Sequence, residues 1–257
     1  INDEKSIVLP QNLKTINYAT FYGCENLNGK ITMPYNVSTI RDLAFGGCRG
    51  IHSVELSKKT DSISLSAFDK ARNFTRYVKS QNDKFNVHNG VLYSNNMATL
   101  YHCPEGYRNS CVIHSETVEI NEKAFDNCTN LRNIILNAER IEDYAFNGCT
   151  NLRHIAIGAK TYDIGRQIFN GCQSLIHIDV KKNNKHYKSV DGVLYSADMT
   201  TLIYCPKAKV GRLKIPKKVK YIADFAFYNC NQIEVILHKN ILSIGKEAFT
   251  GCKIETR

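Results

Sequence analysis

Apolar positions in this chain recur on a fixed frame. From Ile141 the chain runs to Phe146 and Cys149, then to an ending of the form Leu152-x-x-Ile155-x-Ile157. The same skeleton returns as Ile16/Phe21/Cys24, Ile40/Phe45/Cys48, Ile120/Phe125/Cys128, Ile164/Phe169/Cys172, Ile222/Phe227/Cys230 and Ile244/Phe249/Cys252, and a further copy, Ile63/Phe68, carries Ala71 in place of cysteine. Self-similarity at this period predicts a solenoid whose units each bury their apolar face against a neighbour. The ending alternates apolar and polar residues, which predicts a short strand with its isoleucines turned inward. Stacked copies would pair these strands into one parallel sheet, closed from behind by the phenylalanines. Where repeats adjoin, the cysteine position advances by 24, 23, 21, 23 and 22 residues. That length accommodates one strand plus a helical or extended return.

The count breaks twice, between Ala71 and Cys128 and between Cys172 and Cys230, and both gaps hold the same insert. Residues 85–128 align with 187–230 without a gap, at an offset of 102: Gly90-Val-Leu-Tyr-Ser94 matches Gly192-Val-Leu-Tyr-Ser196, and Cys103-Pro104 matches Cys205-Pro206. The segments 95–98 and 197–200 lie between apolar runs and read as hairpin turns. The chain therefore reads as a single domain over 1–257, built on a duplication of about a hundred residues, with β-hairpins projecting from about 80–107 and 181–209.

The repeat and its Gly-Val-Leu-Tyr-Ser insert resemble the BspA-like leucine-rich repeat family, over nearly the whole chain. The chain departs from the family pattern at Ala71, Lys79 and His238. The resemblance implies an α/β repeat: a right-handed leucine-rich-repeat solenoid with a parallel sheet on its concave side. It also implies a surface-exposed or secreted binding or adhesion protein of host-associated bacteria or protozoa. No catalytic residues come with it.

Composition adds constraints on chemistry. No run of 18 apolar residues exists, so no membrane insertion is expected. The chain begins at Ile1 inside a strand-like stretch, as a trimmed chain would. Seven of the ten cysteines occupy the one repeat position that also accepts alanine, a pattern of small buried side chains and not of disulfides. Cys-x-x-Cys, Gly-x-Ser-x-Gly, His-Glu-x-x-His and Gly-x-Gly-x-x-Gly are all missing, so neither enzyme, metal nor cofactor is expected. His154 and His177 share one strand position and read as solvated surface.

Two surface features remain. The outward strand positions along successive rungs are Val8, Thr32, Glu55, Val78, Val112, Ile135, Ala156, Asp179, Lys214 and Leu237. Four consecutive ones, Val78, Val112, Ile135 and Ala156, are apolar where a solvated face should be polar. This predicts either a contact stripe on the concave face or a surface covered by the first hairpin. The second feature is charge. The formal net charge is +10, and residues 181–220 alone hold +9, whereas the matching window 79–118 is neutral. The fold does not need that charge, so it serves either solubility or an acidic partner. Lys181, Lys182, Lys207, Lys209, Arg212, Lys214, Lys217 and Lys218 are the candidate polyanion-binding residues. No aromatic residue interleaves the cations from Lys207 to Lys220, which disfavours base stacking and leaves nucleic acid as a non-specific partner only. The expected partner is thus a host or extracellular protein or an acidic glycan, met by a monomer outside the cell or on its surface. The alternative is a structural spacer within a larger surface protein.

Overall fold

A computed structural model describes residues 6–108 and 110–256. It is a β-solenoid of stacked parallel strands. One face carries three sheets of longer strands. The first joins Ser6–Ile7, Gly29–Thr32, Ile51–Glu55 and Arg76–Val78; the second Cys111–Val112, Asn133–Leu136, His154–Ile157 and His177–Val180; the third Gly211–Lys214, Ile233–Leu237 and Lys253–Thr256. Two-residue strands such as Thr39–Ile40 and Arg140–Ile141 stack on the return path. The frame isoleucines pair directly, Ile120 with Ile141 and Ile141 with Ile164. Behind them the frame phenylalanines stack, Phe21 on Phe45 at 5.1 Å, Phe125 on Phe146 at 4.8 Å and Phe227 on Phe249 at 5.0 Å.

The expected α component does not form: among the described residues there is no helix. The return path is a chain of turns, and its backbone explains why. The residue before the cysteine position has a positive φ in every repeat, as in Gly47, Asn127, Gly148 and Asn229. In seven of the eight repeats so does the residue two before the phenylalanine, for example Leu43, Lys123 and Tyr144. A left-handed residue every fourth position forbids a continuous right-handed helix.

The cysteines close this turn. The Sγ of Cys149 donates to the carbonyl of Phe125 one repeat earlier at 3.1 Å, and that of Cys172 to Phe146 at 3.2 Å. Burial pushes the Cys48 thiol up to about 11 and the Cys172 thiol to about 12. These groups are therefore protonated and inert at neutral pH. Eight of the ten cysteines are buried, while Cys24 is exposed and Cys252 is half-buried. Alkylation without reductant should accordingly label Cys24 first in the folded protein and all ten thiols after unfolding; two or more unlabelled cysteines in the unfolded chain would mean disulfides.

The inserts do not project. Phe85–His88, Val91–Ser94 and Thr99–His102 form an antiparallel meander whose last strand pairs in parallel with Glu119–Ile120, so the insert is built into the return-path sheet. Its central strand has core on both sides: Leu92 packs into the core of residues 9–92, whereas Val91 and Tyr93 pack into the next one. The second insert repeats this with Leu194 on one side and Val193 and Tyr195 on the other. Val-Leu-Tyr is a continuous apolar run and not an alternating one, the signature of a strand with no solvated face. Each insert is thus a wall between two stretches of solenoid.

A buried asparagine anchors each wall. Asn184 Nδ2 donates to the carbonyls of Gly158 at 2.7 Å and Thr161 at 2.8 Å, while its Oδ1 accepts the N–H groups of His186 and Tyr187 at 2.8 Å each. Asn82 does the same at the first wall, donating to Ser57 and Thr60 and accepting from Lys84 and Phe85.

Candidate functional site

The basic segment surrounds the second wall. Lys181 and Lys182 leave strand His177–Val180 at the corner before the insert, and Lys217 and Lys218 leave Gly211–Lys214 at the equivalent corner after it. Lys185 and Lys188 lie between them, on the way into and along strand Tyr187–Val190. All six are exposed, as are Lys214 and Lys220, and none of these eight makes an ion pair among the described residues.

Three predicted members of the set are placed differently. Arg212 is held between Glu234 at 2.7 Å and Glu255 at 2.6 Å. Lys209 reaches Asp191 at 2.9 Å, and its side chain is only 14% exposed. Lys207 is half-buried, with its Nζ 5.7 Å from the centre of the Tyr228 ring. The segment crosses the end of a core repeat, where the Ala208 N–H donates to the carbonyl of Leu175. Alternation about that bond sends Lys209 to the long-strand side and Lys207 to the turn side. Local charge density did not reveal this split.

The apolar row is also shorter than expected. Val112, Ile135 and Ala156 are in register within one sheet, with Asp179 next in line. Val112 is 63% and Ile135 53% exposed, so the first insert does not cover them. Val78 is half-buried and belongs to another sheet, beside Glu55, with the first wall between it and Val112. In the last sheet the partner of Lys214 is Ile236 and not Leu237, a slip of one residue that exchanges faces. His154 faces His177 across the ladder with ring centres 6.3 Å apart, and His177 contacts Asp179 at 3.1 Å. Among the described residues no group of three histidine, cysteine or acidic side chains is arranged to hold a metal.

On the turn side, the second wall leaves a cleft of about 590 Å³ between the turns at 164–170 and 223–228. Buried Phe169 and partly buried Tyr204, with ring centres 5.1 Å apart, form its floor. Tyr144, Phe225 and Tyr228 line its sides with Lys207, Arg166 and Lys246. Burial lowers the affinity of the Lys207 amine for its proton. The matching place at the first wall carries Glu105 instead, close to Asp69 and Asp126. Burial first, and these neighbours after it, push the Glu105 carboxyl up to about 7.

The repeat and the overall fold have known counterparts. A profile described as BspA type Leucine rich repeat region matches in six copies, over residues 3–106, 99–211 and 198–257. The chain belongs to that family. Among solved structures, a leucine-rich repeat protein from Eubacterium ventriosum matches this BspA-type chain with a TM-score of 0.61 at 18% identity, covering 97% of this chain and 83% of that one. The pneumococcal vaccine antigen PcpA matches with a TM-score of 0.56 at 20% identity, covering 89% of this chain. The chain aligns with only 60% of the length of the pneumococcal structure. At these identities the likeness is one of fold. Among curated proteins none matches. Within the BspA-type frame, the cleft at the second wall is the feature that charge counting missed. The offset alignment carried a signal for it, since Lys207 falls opposite Glu105 and Tyr228 opposite Asp126.

Proposed function

We propose that this chain is a non-enzymatic binding module, secreted or displayed at the cell surface, that engages an acidic glycan through the lysines around its second wall. One observation carries the reading. Eight exposed cations, none of them in an ion pair among the described residues, crowd a structural unit whose earlier copy is electrically neutral. Folding asks nothing of that charge, and it is left free to meet a polyanion. The pneumococcal relative's description as a vaccine antigen is in keeping with an exposed location. The reading takes residues 1–257 as one domain, right-handed, with the long-strand face concave. Exposed Val112 and Ile135 favour a second reading, in which that face docks a host protein.

Heparin-affinity chromatography tests the first reading. The chain should be retained, and its elution should move steeply with salt. A variant with Lys181, Lys182, Lys214, Lys217 and Lys218 changed to glutamine should elute well ahead of it. Equal elution of a folded variant would leave the lysines as solubility alone, and the spacer reading would then stand.

A further inference from the structure

The turn-side cleft is separate from the lysine strip, and its contents do not look like surplus solubilising charge. Three cations line it. Arg166 is committed to Asp143, with Nη2 to Oδ2 at 2.8 Å, and the Lys246 ammonium lies 3.8 Å from Glu247. Only Lys207 has no carboxylate within ion-pair distance among the described residues, and it is the half-buried one. A partly desolvated ammonium without a counter-charge is unfavourable unless something supplies that charge. Asp224 lines the same cleft, but its Oδ1 accepts the backbone N–H of Lys246 at 2.7 Å and is not directed to Lys207. The neighbouring walls are aromatic and carry hydroxyls (Tyr144, Tyr228), and Gln167 and Asn170 add amides. A ring with one apolar face, several hydroxyls and one carboxylate matches this set.

We propose that the cleft is a binding site for a carboxylated sugar, the terminal residue of an acidic glycan. The carboxylate pairs with Lys207, the ring face lies against Tyr228 and Phe225, and the hydroxyls meet Gln167 and Asn170. The volume of about 590 Å³ falls within the range of ligand pockets, roughly 300–1,000 Å³. The duplication offers an internal control. At the first wall the corresponding position holds Glu105, which accepts the Lys70 N–H at 2.7 Å and would repel the same ligand.

The test titrates the folded chain with N-acetylneuraminic acid, glucuronic acid, glucose and benzoate, followed by amide chemical shifts. At least one acidic sugar should bind with a dissociation constant of about 1 mM or better, and shifts should map to 164–170 and 223–228. Glucose should bind at least about tenfold more weakly, as should either acidic sugar to Lys207→Met, because one charge-assisted hydrogen bond is lost. Tyr228→Ala should weaken binding comparably without touching the charge. The five-lysine glutamine variant of the strip should bind as the parent does, so failure here is distinguishable from failure on heparin. No binding of either acidic sugar at about 10 mM, unchanged binding by folded Lys207→Met, or tighter binding of benzoate than of both sugars would each overturn the proposal.

Discussion

Replacing Asn184 with alanine is expected to destabilise the chain by about 3 kcal/mol, because it leaves the Gly158 and Thr161 carbonyls and the His186 and Tyr187 N–H groups without their partner. Each such group costs about 1–3 kcal/mol when sealed from water, and the total is less than the sum because the corner can relax toward solvent. Asn82→Ala should behave alike at the first wall, since Asn82 makes the corresponding four bonds and a longer fifth to the Lys58 carbonyl at 3.4 Å. Aspartate offers no rescue: Asn184→Asp keeps the acceptor but turns a donor into an anion facing two carbonyls. In a solenoid each unit is stabilised through its neighbours. The loss should therefore appear first as faster amide exchange on both sides of the affected wall, and then as a lower midpoint in urea. A change under about 0.5 kcal/mol at both positions would show that the walls are held by their apolar strands alone.

The acidic site at the first wall predicts an unusual pH dependence. Glu105 is pushed up to about 7 by burial, with Asp69 and Asp126 adding to it, and Asp69 is pushed up to about 6 by burial and then by Asp126. Both carboxyls are thus raised above their unfolded values. Their contribution to stability is complete below the unfolded values of about 3.9 for aspartate and about 4.3 for glutamate and is lost as pH rises through about 6 to 7. Glu105→Gln keeps the acceptor for the Lys70 N–H and removes the charge. Relative to the parent, it should stabilise the protein by about 2 kcal/mol near pH 8 and by less than about 0.5 kcal/mol near pH 4. Paired denaturant titrations at the two pH values measure the difference. Equal stabilisation at both would mean that the carboxylate charge is already relieved by solvent.

Duplication gives the two walls one architecture and lets their chemistry diverge. Position 105 is an acid that gains a proton near neutrality, and position 207 is a lysine without a carboxylate in ion-pair distance among the described residues, on the same turn of the same fold. Likewise, the Tyr77 hydroxyl meets His102 Nδ1 at 2.9 Å at the first wall, whereas Tyr204 occupies the position of His102 at the second and lines the cleft. The central wall strand, buried on both sides, is identical in the two copies, Val91-Leu-Tyr-Ser94 and Val193-Leu-Tyr-Ser196, whereas the strands beside it and the turns that pass over it differ.

What the sequence determines by itself is the repeat. The spacing of isoleucine, phenylalanine and cysteine dictates which side chains stack, because a solenoid repeats one contact set at every step. The parallel pairing of Ile134 with Ile155 and Ile155 with Ile178 follows from that spacing. The offset alignment reveals the duplication, and the charge windows locate the cations. Three matters were decided only by tertiary structure. Whether the return path coils depended on φ at residues such as Leu43 and Lys123, which show no preference for the left-handed region that sequence could display. Whether the inserts project or partition depended on what lay on the far side of Leu92 and Leu194, a matter of long-range packing. And Lys207, Lys209 and Arg212, alike in sequence as members of one basic run, were sorted by the bodies around them into a cleft, an ion pair with Asp191 and a bridge between two glutamates. A charge has no pattern of its own along a chain; its role is set by which groups the fold brings within a few ångströms of it.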